Sequence, residues 1–194
     1  MSRAISGTNI VRLALTPHPA SPRSAVSRIE AEIARPAPGQ MTLSFTLTGN
    51  IAEIVLPPVS APARRPELWT RTCFEAFLRA SNEPGYYELN LSASTEWAVY
   101  RFDGYRSGMQ EASEIGAVPI DWRSDEDSYT LVAGLNADPL PGLAHARSWR
   151  IGLAAVIEER SGSRSYWSLV HPADKPDFHH PASFSHELMS RERT

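Results

Sequence analysis

Apolar side chains recur at every second position along most of this chain, the period of a half-buried strand, and no segment holds the 3.6-residue period of a helix for long. Residues 27–35 alternate through Ile29, Ala31 and Ile33, and residues 41–48 through Leu43, Phe45 and Leu47. Gly49 and Asn50 then offer the positive φ values of a tight hairpin, so residues 51–56 are expected to return as the next strand. The same alternation marks residues 72–79, 86–92, 96–102, 128–135, 149–158 and 164–170. Nine short strands with turn signals between them predict an all-β fold. The expected form is a single-domain antiparallel β-sandwich of jelly-roll or immunoglobulin-like type over residues 1–194, with few short helices. Residues 111–115 are the one candidate helical turn. Residues 57–66 and 138–144, both rich in proline, read as connections rather than core. The polar run 189–194 reads as a frayed tail.

A chain of 194 residues buries enough surface to need neither disulfides nor a structural metal. Its single cysteine, Cys73, allows no intrachain bridge, which suits a reducing compartment. The apolar stretch near the amino terminus is broken by Arg12 and is too short for a signal peptide or a membrane span, so a soluble cytoplasmic protein is expected. A net charge of -3 provides no basic field for nucleic acid. Arginine outnumbers lysine 18 to 1. The one lysine, Lys175, lies in HPADKPDFHHP, residues 171–181, with three of the six histidines.

Alternation also sorts polar side chains by face. In TCFEAFL, Cys73, Glu75 and Phe77 share one side; in YYELNLS, Glu88, Asn90 and Ser92 oppose the apolar Tyr87, Leu89 and Leu91; in EWAVYRF, Trp97, Val99 and Arg101 lie together. A sheet face gathering Glu75, Glu88, Asn90 and Arg101 is either a solvated network of ion pairs or a concave polar pocket. Trp97 and Trp149 sit inside strand patterns and read as core, whereas Trp69 and Trp167 stand beside loops and either offer an indole face or pack inside. His171 shares a side with Trp167.

The histidine loop does not read as a metal site, because His171 and His179 are eight residues apart and the adjacent His179 and His180 diverge on extended backbone. Catalysis pairing a histidine with Asp174 or Asp177 lacks a nucleophile: there is no G-x-S-x-G elbow, and Cys73 lies in an apolar strand. Three prolines suggest a rigid lid from which Lys175, His179 and His180 donate hydrogen bonds to a ligand; the alternative is a turn whose histidines cap local backbone.

LWTRTCFEAFL, then YYELNLSASTEWAVYRFDGYRSGM, then YWSLVHPADKPDFHHPASF resembles the DOMON-like ligand-binding superfamily, and more narrowly a bacterial branch related to family 9 carbohydrate-binding modules. The resemblance covers nearly the whole chain and implies a β-sandwich with one concave sheet. In the carbohydrate-binding relatives two tryptophans clamp a sugar, helped by a carboxylate, an arginine and amides. By this resemblance Trp69 and Glu75 match the first tryptophan and the carboxylate, Arg101 the arginine, and Trp167 the second aromatic plate. Haem-binding relatives use Met and His, for which Met109 and the histidine loop are the only candidates here. Absence of an export signal departs from the secreted habit of many members and speaks against a polymeric extracellular sugar.

The expected function is therefore non-catalytic binding of a small polar ligand, a saccharide or an anionic sugar derivative held by Arg101 and Lys175, without a cofactor, a nucleic-acid partner or a membrane. Rival readings are a glycoside hydrolase with Glu75 and Glu88 as its carboxylate pair, a haem module, and a protein-interaction module with an apolar outer sheet.

Overall fold

The computed structural model describes residues 10–81, 83–172 and 174–189. In chain order its strands are β1 (Ile10–Pro17), β2 (Val26–Ala34), β3 (Gln40–Gly49), β4 (Cys73–Ala80), β5 (Tyr86–Ser92) and β6 (Trp97–Phe102). They continue with β7 (Gln110–Glu111), β8 (Ile120–Ser124), β9 (Ser128–Asn136), β10 (Ser148–Glu158), β11 (Arg164–Ser168) and β12 (His186–Met189). All strand pairings are antiparallel, and the result is an all-β sandwich. One sheet runs β1-β2-β3-β9-β8; the other runs β7-β6-β5-β4-β10, with β11 and β12 both on the far side of β10. β1 is the corner between them: Ile10 to Leu15 pair with β2, while Thr16 and Pro17 pair with β11.

Eight of the nine predicted strands are present, with ends shifted by at most two residues. The exception is 51–56. Gly49, at φ 154°, packs so closely that a Cβ there would run into the Ala25 carbonyl. The chain then makes a 3-10 turn over Ile51–Glu53 and crosses to the second sheet, where Ile54 bridges Glu159. Gly49-Asn50 is thus a crossing point, not a hairpin. The strands without a predicted counterpart, β1, β7, β8 and β12, are short or lie at edges and corners, where a small buried face leaves little alternation to read. At 111–115 only Glu111 is in a strand, and the backbone bonds Ser113 to Glu111 and Ile115 to Ala112 mark turns rather than a helix. The helical segments of the described residues are three 3-10 turns, and no described helix is long and apolar enough to cross a membrane. Residues 190–194, most of the expected frayed tail, lie outside the described residues, whereas Met189 ends β12.

Between the sheets Leu43, Phe45 and Leu47 of β3 meet Phe74 and Leu78 of β4, Leu89 and Leu91 of β5 and Leu153 of β10. Segment 138–144 is not merely a connection: Leu140 and Leu143 are buried in this core, and the Leu143 carbonyl accepts from Trp149 Nε1 at 3.0 Å. Outside the first sheet, Arg12–Glu32 and Arg28–Glu30 form exposed ion pairs, the kind worth little to stability. The second sheet behaves differently. β5 is buried at every position, so its outer face is covered as well as its inner one. A second, smaller cluster of Phe77, Tyr86, Phe102, Val156, Phe178 and Phe184 lies there, beneath the histidine loop. Gly152 permits that covering, since a Cβ on it would stand 2.9 Å from the Ser183 carbonyl oxygen.

Candidate functional site

The strand registers fix what points at this outer face. Glu75 pairs with Asn90 on one side and Ala154 on the other, Glu88 pairs with Phe77 and Tyr100, and Tyr166 pairs with Val156. Small residues, Ala98, Gly152 and Ala154, sit between the large ones. Above them is a cavity of about 470 Å³ lined by Glu75, Glu88, Arg106, His179 and the rings of Trp69, Phe102, Tyr166 and Phe178. Its size is within the range of small-ligand sites.

Two loops bring the outer walls into place, and each holds a non-glycine residue in the left-handed region. Glu67, at φ 60°, precedes the 3-10 turn Leu68–Thr70 that carries Trp69, whose ring meets Tyr100 edge-on at 5.9 Å. Arg106, at φ 50°, lies in the turn after β6, with its backbone N–H 3.3 Å from the Tyr86 hydroxyl. Such backbone strain persists where surrounding contacts over-determine it.

Asp177 clamps the histidine loop to that turn. Its carboxylate accepts from Tyr105 Oη at 2.6 Å, from Arg106 Nη2 at 2.8 Å and Nε at 3.3 Å, and from the His179 backbone N–H at 3.3 Å. Burial pushes the carboxyl up, but the bonds from Tyr105 and Arg106 outweigh it and hold Asp177 below the usual carboxylate range. Burial raises Tyr86 to about 12, so its hydroxyl stays protonated. That hydroxyl lies 2.8 Å from His179 Nδ1, while His179 Nε2 faces Glu88 Oε2 at 3.6 Å. The arrangement that satisfies every donor has Tyr86 accepting from Arg106 N–H and donating to Nδ1, which leaves the ring proton on Nε2. His179 is held neutral: burial first, then the Arg106 charge, lower it to about 4 despite opposing attraction from Asp177.

Glu88 Oε1 accepts from Asn90 Nδ2 at 2.7 Å, while Oε2 faces His179 Nε2 at 3.6 Å. Asn90 Oδ1 accepts in turn from the Cys73 thiol at 3.7 Å. Burial raises the Cys73 thiol well above its ordinary value, so it is no nucleophile. Glu75 is only 3% exposed, and no donor among the described residues bonds its carboxyl. Burial, reinforced by the neighbouring Glu88, raises Glu75 well above the usual carboxylate range; Glu88 is raised too, chiefly by burial.

A raised carboxyl opposes folding once ionised: its stabilising neutral form is intact below the unfolded pKa near 4.5 and lost as pH rises through the folded value. Glu75→Gln is therefore expected to match wild type near pH 5 and to exceed it at alkaline pH by roughly 1–3 kcal/mol, the scale of an uncompensated buried polar group. Urea unfolding at the two pH values checks this; equal stability at both would mean that Glu75 has a partner.

Of the residues singled out from the sequence, Trp69, Glu75, Glu88 and His179 line the cavity, and Asn90 supports Glu88. The others go elsewhere. Arg101 does not share the face of Glu75: it pairs with Tyr87 and follows Trp97 and Val99 to the inner side of the sheet, where it bonds Gln110 and edges a separate hollow. Trp167 is no exposed plate but core, 3% exposed, with Nε1 on Ser165 Oγ at 2.9 Å; Tyr166, one residue earlier, faces the cavity instead. His171 bonds the Thr16 carbonyl at 2.7 Å and meets His18 edge-on, away from the cavity. Lys175 is exposed and does not line the cavity. His180 caps the turn Pro181–Ser183 by accepting from Ala182 N–H. The histidine loop is less a lid than a wall, packed through Phe178 and contributing Pro176, Phe178 and His179. Sequence reading had no signal for Arg106, Tyr86 or Phe178, whose roles depend on loop contacts.

No three His, Cys, Asp or Glu side chains among the described residues converge on a metal position. Met109 does line the cavity with His179, whose Nδ1 is taken by the Tyr86 hydroxyl and whose Nε2 faces Glu88 at 3.6 Å.

No family model matches the sequence, and no curated protein is significantly similar to it. Among solved structures, a Bacteroides uniformis protein provisionally described as carbohydrate-binding superposes with a TM-score of 0.69 at 15% identity, covering 94% of this chain and 86% of that one. A family 9 carbohydrate-binding module of Caldicellulosiruptor kristjanssonii solved with glucose gives 0.51 at 11% identity, covering 97% and 85%. The same organism's module solved with cellotriose gives 0.52 at 12%, covering 97% and 84%. The chain thus has the fold of the family 9 modules.

Proposed function

We propose that this chain is a non-catalytic binding module of DOMON-like kind that holds a small saccharide over Glu75 and Glu88, between Trp69 and Tyr166. The observation that carries the reading is a cavity that sets flat aromatic walls against a carboxyl floor, suited to a ligand with apolar ring faces and hydroxyl edges. The glucose and cellotriose bound by structural neighbours support it. An anionic derivative is disfavoured, because Arg101 and Lys175 do not reach the cavity and the two arginines that do, Arg106 and Arg164, lie beside Asp177 and Glu158. No cofactor is needed. Glu75 and Glu88 do share one face, as a glycosidase pair must, but Asn90 already holds Glu88 through Oε1, so the pair is read as a binding floor. The open cavity also speaks against an interaction module whose sheet face is filled.

Calorimetry with glucose and cellotriose is expected to show binding that Trp69→Ala weakens about thirtyfold, the 2 kcal/mol of a tryptophan anchor. Binding that is indifferent to Trp69 would remove this site from the reading.

A further inference from the structure

The charges around the cavity are not balanced in depth. Two carboxyl groups, Glu75 and Glu88, lie on its floor. The cation nearest to them, Arg106, is committed through Nη2 and Nε to Asp177. Arg164, the other cation among the lining residues, lies 3.6 Å from Glu158, which Arg71 also holds at 3.2 Å. His179 is neutral, with Nδ1 on the Tyr86 hydroxyl, and brings no charge. What remains is Glu75, nine-tenths buried and more, facing the cavity with no donor among the described residues. A buried carboxyl without a donor is costly unless something arrives to satisfy it.

We propose that the ligand carries a protonated amine, as an amino sugar does, and that Glu75 receives it. This rests on the saccharide reading and names the substituent that the floor selects. An ammonium group is small, offers three donors and pairs with a carboxylate through charge-assisted hydrogen bonds. The rings of Trp69, Tyr166 and Phe178 bound the same space and favour a cation over their faces. A metal ion is the poorer occupant, because no third ligating side chain joins Glu75 and Glu88 among the described residues. In the empty site burial and Glu88 favour the neutral form of Glu75, against an opposing pull from Arg106. As the ammonium enters, Glu75 gives its proton to the buffer and remains as a carboxylate beside the new charge.

The test is calorimetry at about pH 7 with glucose, glucosamine and cyclohexylamine, in two buffers of different ionisation enthalpy, on wild type, Glu75→Gln and Glu88→Gln, all first shown folded by thermal melts. Glucosamine is expected to bind wild type at least about tenfold more tightly than glucose, with release of about one proton per site. In Glu75→Gln the ratio of the two affinities should fall toward one and the proton release should vanish; in Glu88→Gln, whose carboxyl is already engaged, the ratio should fall less. Equal affinity for glucose and glucosamine overturns the amine proposal and leaves saccharide binding standing, as does a preference that survives in Glu75→Gln. Binding of cyclohexylamine alone, with proton release, upholds the amine site and rejects the sugar. Binding of none of the three rejects both.

Discussion

Truncating Trp167 to alanine is expected to cost about 3–5 kcal/mol of folding stability, while truncating its neighbour Tyr166 should cost far less and weaken ligand binding instead. The two side chains leave β11 in opposite directions. Trp167 enters the core between the sheets at 3% exposure, and its indole N–H is satisfied by Ser165. Removing it leaves a large void in a close-packed interior. Tyr166 is half-buried, touches Phe178 at a ring distance of 6.4 Å and borders the cavity, so its loss widens a space that is already open. Urea unfolding and sugar calorimetry on both variants separate the outcomes. A Tyr166 variant that unfolds readily while the Trp167 variant only loses ligand would reverse the assignment of faces.

Acid should weaken the fold through His179. Its folded pKa of about 4 is below the ordinary histidine value near 6.5, so between those values the unfolded chain binds more protons. Stability contributed by the neutral, buried ring is intact above about pH 6.5 and declines as pH falls toward 4, by roughly 3 kcal/mol across that window. Glu75 and Glu88 act in the opposite sense, becoming neutral and stabilising as pH falls. The contribution of His179 is therefore read as a difference. His179→Gln keeps a neutral donor in the ring's place and should lose about 2 kcal/mol less than wild type between about pH 7 and pH 5. If both proteins lose the same stability, the imidazole is not the group whose protonation strains the site.

The parts of the site legible in the sequence were those fixed by strand period. Glu88 and Asn90 on β5 alternate against the core residues Leu89 and Leu91, so parity set their face; Glu75 on β4 has bulky apolar residues on both sides, and the register that pairs it with Asn90 puts it on the same face. Arg101 was expected on that face as well, although it alternates with Trp97 and Val99; both of those are core, and the register that pairs Arg101 with Tyr87 turns it away from Glu88. β11 is five residues long and aromatic on both faces, so alternation separated Tyr166 from Trp167 without saying which face was inside. That depended on β11 lying at the corner beside β1, a pairing of residues 16 and 168 that no local pattern announces. The Arg106–Asp177 clamp is less legible still, since 71 residues separate partners that both lie in loops. The stabilising change at Glu75 belongs to the same account: a carboxyl that burial makes unfavourable is one that folding alone would not select.

The most direct measurement is a crystal of the protein soaked with glucose. The account predicts sugar density in the 470 Å³ cavity, with a ring face against Trp69 or Tyr166 and a hydroxyl within hydrogen-bond distance of Glu75. Sugar bound instead in the hollow beside Arg101 and Tyr87, with this cavity holding only water, would contradict it.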